Sequence, residues 1–253
     1  MSRTTFLTLL TGKAVAILLA VLGQWVAAAV LFFGVDAWVL FHLLAPSAQG
    51  LGRVLTRFET TRPEIWLTID DGPDPQDTPQ ILDLLDQHRA RATFFVIGER
   101  AAQCPGLLAE IIRRGHEVAH HTQTHPVASF WYASPARLRR ELDGVLETLS
   151  PASIRPRWFR PPVGIKHLLL SAALAARHLQ CVGWSIRSGD VLGRRPEAAV
   201  ARVLRQLRPG AIVLMHEGPS MDPAVRVRAI ALLLEALSGL GYRCVLPEPA
   251  QLR

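Results

Sequence analysis

With 253 residues the chain is long enough to bury a sizeable core, and it suits either one α/β barrel or two smaller domains. The formal charge of +7 would suit a nucleic-acid partner, but the arginines are scattered and form no basic stripe, which argues against nucleic acid and leaves anionic lipid or an acidic glycan as neighbours. Cys104, Cys181 and Cys244 stand far apart without a CxxC pair, which argues against a cysteine-built zinc site or a disulfide framework.

Residues 14–34 carry no charge. As one helix they would span about 32 Å, enough for a hydrocarbon core of about 30 Å. The run is long for a signal peptide, and no small-residue cleavage site with a polar start follows, so an uncleaved membrane anchor is expected rather than a buried core helix. Asp36, Trp38 and His42 mark an interfacial extension through Leu44. A two-span hairpin would place Lys13 inside the first span, so a single span is expected. Arg3 and Lys13 precede the span and place the N-terminus in the cytoplasm and the remainder of the chain outside. The expected organisation is an anchor at 1–45, a linker at 46–62 and a catalytic domain at 63–253.

Beyond the linker, short β-like runs alternate with amphipathic helical runs. Residues 64–70 read as a strand, 77–88 as a helix, 92–98 as a strand and the stretch to 114 as a helix. A strand near 116–120 precedes a helix that Ser134 would cap and that runs to about 149. Strands at 157–160, 180–186, 211–216 and 242–246 alternate with helices near 166–177, 196–207 and 223–238. About seven such units predict a parallel α/β sheet, barrel-like or doubly wound. Asp70, Asp71, His121, His125, Arg160, Asp190 and His216 all follow strand runs, the end of a parallel barrel where active sites form.

LTIDDGPD sets two carboxylates at a strand end, where Gly72 and Pro73 force a turn. Only because the chain turns there do both reach one site, so that one can bind a cation while the other stays free as a base. An Asx-turn is the plainer structural use of such residues. A DDxxD magnesium-diphosphate motif over Asp70, Asp71 and Asp74 would need a helix, which Gly72 and Pro73 break. His121 and His125 stand at i and i+4, a spacing that presents both imidazoles to one metal if the segment makes a helical turn. Zinc proteases of that spacing carry a glutamate where this chain has Thr122, which disfavours peptide hydrolysis. With Asp71 the pair makes a His₂-carboxylate site with an open position, and His120 stands beside it as a supporting or structural residue. Arg160, in FRPPVG, is placed to orient a free carboxylate. Asp190, in GWSIRSGDV, is placed to hydrogen-bond a histidine and raise its pKa, and His216 ends an apolar strand where a lone histidine is by default a core residue.

In this order the motifs resemble the polysaccharide deacetylase family, carbohydrate esterase family 4, also called the NodB homology domain, over about residues 65–246. The resemblance implies a distorted (β/α)7 barrel. It implies Asp70 as general base, Asp71, His121 and His125 as metal ligands, and a hydrogen bond from Thr122 that supports the loop. Arg160 would orient Asp70, Val163 stands where the family has tyrosine and would offer its N–H to the oxyanion, and Asp190 would tune His216, the general acid. Leu214 would line the acetyl pocket, while Arg187 and Val191 replace the family's first aspartate and its tryptophan. The implied cofactor is one divalent metal, zinc or else Co²⁺, Ni²⁺ or Fe²⁺, and the implied reaction is hydrolysis of the N-acetyl amide of an amino sugar in a cell-envelope glycan or glycolipid. The anchor then places the enzyme at a bacterial-type inner membrane with its catalytic domain outside. The alternatives are a deacetylase or deformylase of a lipid-linked or small amide, and a glycan-binding protein without turnover.

Overall fold

The computed structural model describes residues 3–192, 195–218 and 223–252. Two helices lead the chain, α1 (Arg3–Val21) and α2 (Trp25–Leu44). The uncharged run is therefore not one helix, contrary to the sequence expectation. Gly23 takes the left-handed conformation (φ 78), and the Gln24 and Gly23 N–H groups return to Leu19 O (2.9 Å) and Ala20 O (3.1 Å), the paired bonds of a Schellman stop. The chain doubles back, and Gly12 lets the helices approach, since a Cβ there would lie 3.1 Å from Val35. Lys13, the residue that spoke against a hairpin, has its partner in the second helix: its ammonium lies 2.7 Å from Asp36 Oδ2 and donates to Phe32 O at 2.8 Å. Among the described residues only α2 is long and apolar enough to cross a membrane, which makes it a candidate span or signal sequence; the apolar part of α1, Thr5–Val21, is shorter.

The remaining elements follow as β1 (Val54–Leu55), β2 (Glu64–Asp70), α3 (Asp77–Gln87), β3 (Ala92–Val96), α4 (Gly98–Gln103), α5 (Pro105–Arg113), β4 (Glu117–His120), α6 (Pro135–Leu149), β5 (Trp158–Phe159), α7 (Leu170–Ala175), β6 (Gln180–Val182), β7 (Ile186–Arg187), α8 (Pro196–Gln206), β8 (Ala211–His216), α9 (Pro223–Gly239) and β9 (Arg243–Cys244). All pairings between these strands are parallel, in the order β1-β6-β5-β4-β3-β2-β8-β7, with β9 beside the start of β2. β6 and β7 sit near opposite ends of that order, yet only Gly183, Trp184 and Ser185 separate them. The sheet must curl until its ends meet, and Gly183 N donates to Leu55 O while Ser185 N donates to Ile212 O across the closure. This is the expected distorted (β/α)7 barrel. The stretch 46–62 carries β1 and so contributes to the sheet as well as joining the hairpin to it.

Period-2 alternation sorts the side chains. In β2, Ile65, Leu67 and Ile69 pack outward under the helices, while Trp66, Thr68 and Asp70 face the barrel interior. In β8, Val213 and Met215 pack outward and Ile212 and Leu214 pack inward. Both faces of β2 and β8 are buried, so the two strands read as largely apolar runs that end in polar residues at the barrel's carboxyl end.

Candidate active site

Asp70 is the last residue of β2 and is buried. Asp71 leaves the strand in a left-handed conformation (φ 77), and this reversal lets the adjacent carboxylates share one cavity instead of opposite faces. Arg160 lies directly beneath, fully buried. It donates to Asp70 Oδ1 (2.6 Å), Thr68 Oγ1 (2.9 Å), Gly183 O (2.7 Å) and Val182 O (3.2 Å), and its guanidinium stacks 4.1 Å from the Phe95 ring. Those bonds fix both the arginine and the carboxylate it grips.

Asp71 Oδ1 lies 3.3 Å from His121 Nε2 and 3.3 Å from His125 Nε2. It is buried and has no hydrogen-bond partner. Burial opposes its charge, but the closeness of His121, with the fields of His125 and His216, prevails and holds the carboxyl far below the usual range. His121 Nδ1 donates to Arg160 O (2.8 Å), which fixes the tautomer and leaves Nε2 to face Asp71. Burial, with the neighbouring charge of His121, lowers the His125 pKa to about 4. A carboxylate oxygen and two imidazole nitrogens thus lie within 4.8 Å of one another. Tetrahedral coordination with bonds of about 2.0–2.1 Å separates its ligand atoms by roughly 3.3 Å. The donor set, its spacing and the unpartnered oxygen all fit a divalent cation.

The histidines do not meet through a helical turn, contrary to the sequence expectation. Residues 121–125 form an irregular loop with Thr122 (φ 68) and His125 (φ 53) left-handed. Side-chain hydrogen bonds hold the loop instead. Thr122 Oγ1 accepts from His125 N (3.1 Å), and the buried Glu141 of α6 accepts from Thr124 N (2.9 Å) and Thr124 Oγ1 (2.7 Å). His120 points away from the cavity. Its ring lies 2.9 Å from Leu142 O, its Nδ1 accepts from Thr122 N (3.1 Å), and burial lowers its pKa to about 4, so it braces the loop as a neutral residue.

Across the cavity His216 ends β8. Its Nδ1 lies 2.8 Å from Asp190 Oδ1 and its backbone N donates to Asp190 Oδ2 at 2.8 Å. Ser188 Oγ (2.9 Å) and Val191 N (3.1 Å) also donate to that carboxylate. Burial works against the imidazolium, yet the Asp190 charge and hydrogen bond overcome it and raise the His216 pKa. Asp70, Asp71, His121, His125, Val163, Leu214 and His216 all line one cavity of about 160 Å³, while Arg160 and Asp190 stand behind its walls. Val163 (φ 49) sits on a single 3₁₀ turn. Trp184 is a wall residue that the motifs did not single out. Its one available signal is its place directly after Gly183, where the β-run of 180–186 breaks.

Comparison with known proteins gives this constellation its family. The family model "Polysaccharide deacetylase" matches residues 58–181. A chitooligosaccharide deacetylase of Bradyrhizobium sp. (strain ANU 289) is 39% identical over 191 residues, covering 70% of this chain and 86% of that protein. A peptidoglycan-N-acetylglucosamine deacetylase of Bacillus cereus is 35% identical over 206 residues, covering 80% and 95%. The crystal structure of a peptidoglycan N-acetylglucosamine deacetylase bound to 4-naphthalen-1-yl-N-oxidanyl-benzamide superposes with a TM-score of 0.70 at 31% identity, covering 78% of this chain and 91% of that one. The chain belongs to the polysaccharide deacetylase family, and is a hydrolase of the amide bond of N-acetyl groups.

Proposed function

We propose that the chain is a membrane-anchored, metal-dependent deacetylase that releases acetate from N-acetylated amino sugars of a cell-envelope glycan and leaves the free amine. The observation that carries this reading is the buried, unpartnered Asp71 Oδ1 between two imidazole nitrogens at 3.3 Å, facing His216 across one small cavity. A divalent cation held by Asp71, His121 and His125, with zinc first and Co²⁺, Ni²⁺ or Fe²⁺ as substitutes, would polarise the acetyl carbonyl and acidify a water. Asp70, gripped by Arg160, takes the proton from the attacking water. The Val163 N–H supports the negative charge that develops on the carbonyl oxygen, and Leu214 packs against the acetyl methyl. His216, whose protonated form Asp190 favours, gives its proton to the amine nitrogen as the carbonyl re-forms and the C–N bond breaks, leaving acetate and the free amine.

The anchor in this reading is α2, with α1 packed antiparallel along it, and it holds the enzyme at a bacterial-type cytoplasmic membrane with the catalytic domain outside, where a cell-envelope substrate lies. The test is acetate release from N-acetylglucosamine oligomers, peptidoglycan and N-acetylated glycolipid by metal-stripped and zinc-restored protein, beside Asp70→Asn. Zinc-dependent release that the variant loses is the expected outcome. With zinc bound and no release from any of the three, the chain is instead a glycan-binding protein or acts on another amide.

A further inference from the structure

Among the described residues outside the hairpin, eight large apolar side chains are exposed, and six of them stand in two loops at the active-site end of the barrel. Val127, Trp131 and Tyr132 lie between β4 and α6, just after His125; Val163, Leu168 and Leu169 lie between β5 and α7, just after Arg160. The strands that launch these loops are neighbours in the sheet, and the loops are tied together by a bond of 2.9 Å between the His167 ring and Ala133 O. Scattered exposed hydrophobics need no explanation, but a cluster of them in two adjoining loops beside a catalytic cavity does.

The hairpin ends on the same rim. Lys166 N donates to Leu43 O (2.9 Å), and the buried Lys166 ammonium donates to Ala45 O (2.5 Å). Pro46 packs so tightly on Gly164 that a Cβ there would lie 2.6 Å from it, and Ser47 Oγ donates to Trp184 O (3.4 Å). Gly164 follows Val163, and Val163 and Trp184 are walls of the cavity. The chain thus passes from its apolar helix to the lip of the active site within a few residues. Trp131 and Tyr132 have the amphipathic rings that settle at the headgroup level of a bilayer. The cavity itself, about 160 Å³, is small beside the roughly 300–1,000 Å³ of sites that enclose whole ligands, so it has room for the acetamido arm of one sugar and leaves the rest of the substrate on the rim. Arg187, exposed on its wall, offers a cation to a phosphate beside that sugar.

From this juxtaposition we infer that the active-site face of the barrel rests on the bilayer and that the substrate is a lipid-phosphate-linked N-acetylated amino sugar delivered from the same membrane. The inference rests on the deacetylase reading and names the substrate class of that site.

Two measurements test it with the full chain in vesicles of phosphatidylethanolamine and phosphatidylglycerol, zinc loaded. The first compares acetate release from N-acetylglucosamine on polyprenyl phosphate, in the same bilayer, with release from chitotriose in the surrounding water. The expected result is a kcat/KM at least tenfold higher for the lipid-borne sugar. Equal or faster turnover of chitotriose overturns the inference and leaves the deacetylase standing; no release from either substrate overturns the deacetylase reading and the inference with it. The second needs no activity: an environment-sensitive fluorophore is placed at Tyr132→Cys or, at the opposite end of the barrel, at Leu240→Cys, both in a Cys104→Ser background. Blue-shifted emission quenched by brominated lipid at position 132 alone is expected. Equal water exposure at both positions overturns the inference whatever the enzyme hydrolyses.

Discussion

The two walls of the cavity differ in how far the protein satisfies them. On the β5–β8 side nearly every polar group is matched: Arg160 donates to four oxygens, and the Asp190 carboxylate accepts from the His216 ring, the His216 N–H, Ser188 and Val191. On the β2–β4 side Asp71 Oδ1 is buried without a hydrogen-bond partner, and two imidazole nitrogens point at it. A wall saturated by its own hydrogen bonds holds its geometry and its protons without help. The opposite wall is costly as it stands, because an unpartnered buried carboxylate oxygen calls for a ligand from outside the chain. Under the proposed function, the contrast between adjacent carboxylates, one gripped by arginine and one left open, would divide the work between a base and a metal ligand.

The largest expected effect breaks the open wall. Asp71→Asn and His121→Ala should each lose the bound metal and with it acetate release, as read by elemental analysis beside the activity assay. A full equivalent of zinc retained by Asp71→Asn would end the division drawn above. Next comes Asp70→Asn, which should keep its metal and lose about 10²–10⁴ in kcat, the usual contribution of a general base. Loss of metal by this variant would merge the two roles. The third effect is on pH dependence. Because Asp190 raises the pKa of His216 against the pull of burial, the protonated acid persists to higher pH, and activity should fall as pH rises through that pKa. In Asp190→Asn only burial and the more distant Asp70 and Asp71 charges remain, so the basic limb of the kcat profile should move to lower pH, each unit costing about tenfold in the protonated fraction above it. An unmoved basic limb would remove His216 from the acid role.

How much of this was legible in the sequence depended on how local the determinants were. β2 and β8 were readable to the residue because apolar runs end abruptly in Asp70 and His216, and the α6 start was readable because Ser134 caps it, accepting from Arg137 N. The expected site residues also converge, since strand-end position in a parallel barrel is itself a local signal. Two readings failed because their causes lie elsewhere in the chain. The 121–125 loop is held through Thr124 by the Glu141 carboxylate, 17 residues further along the chain, and no i, i+4 pattern reveals those bonds. Lys13 argues against a hairpin only while it lacks a partner, and Asp36, 23 residues away, supplies one across the turn that Gly23 makes. The break at Gly183, Trp184 and Ser185 that closes the barrel has a single local mark, Gly183, because β-like residues stand on both sides of it.

The smallest expected effect concerns an acid just outside the site. Glu217, next to His216, is fully buried against the turn that follows Asp71, where Gly72 leaves room for its carboxyl. Thr78 Oγ1 donates to Oε2 (2.5 Å), while Oε1 and the nearby Asp77 Oδ1 are buried without partners. Burial pushes its pKa up to about 8, opposed by the Thr78 bond and reinforced by the charges of Asp77 and Asp74. The folded state therefore keeps a proton that the unfolded state releases near its ordinary value of 4.5. Its stabilising contribution is complete below that value and declines as pH rises towards 8. Glu217→Gln mimics the protonated acid and should remove this slope. The variant and the parent should melt within a degree or two of each other at low pH, with the variant ahead at pH above 8 by roughly 2–4 °C for each kcal/mol recovered. Parallel melting curves across that range would place Glu217 in the folded protein as a charged group, and would extend the unsatisfied side of the cavity to the turn behind Asp71.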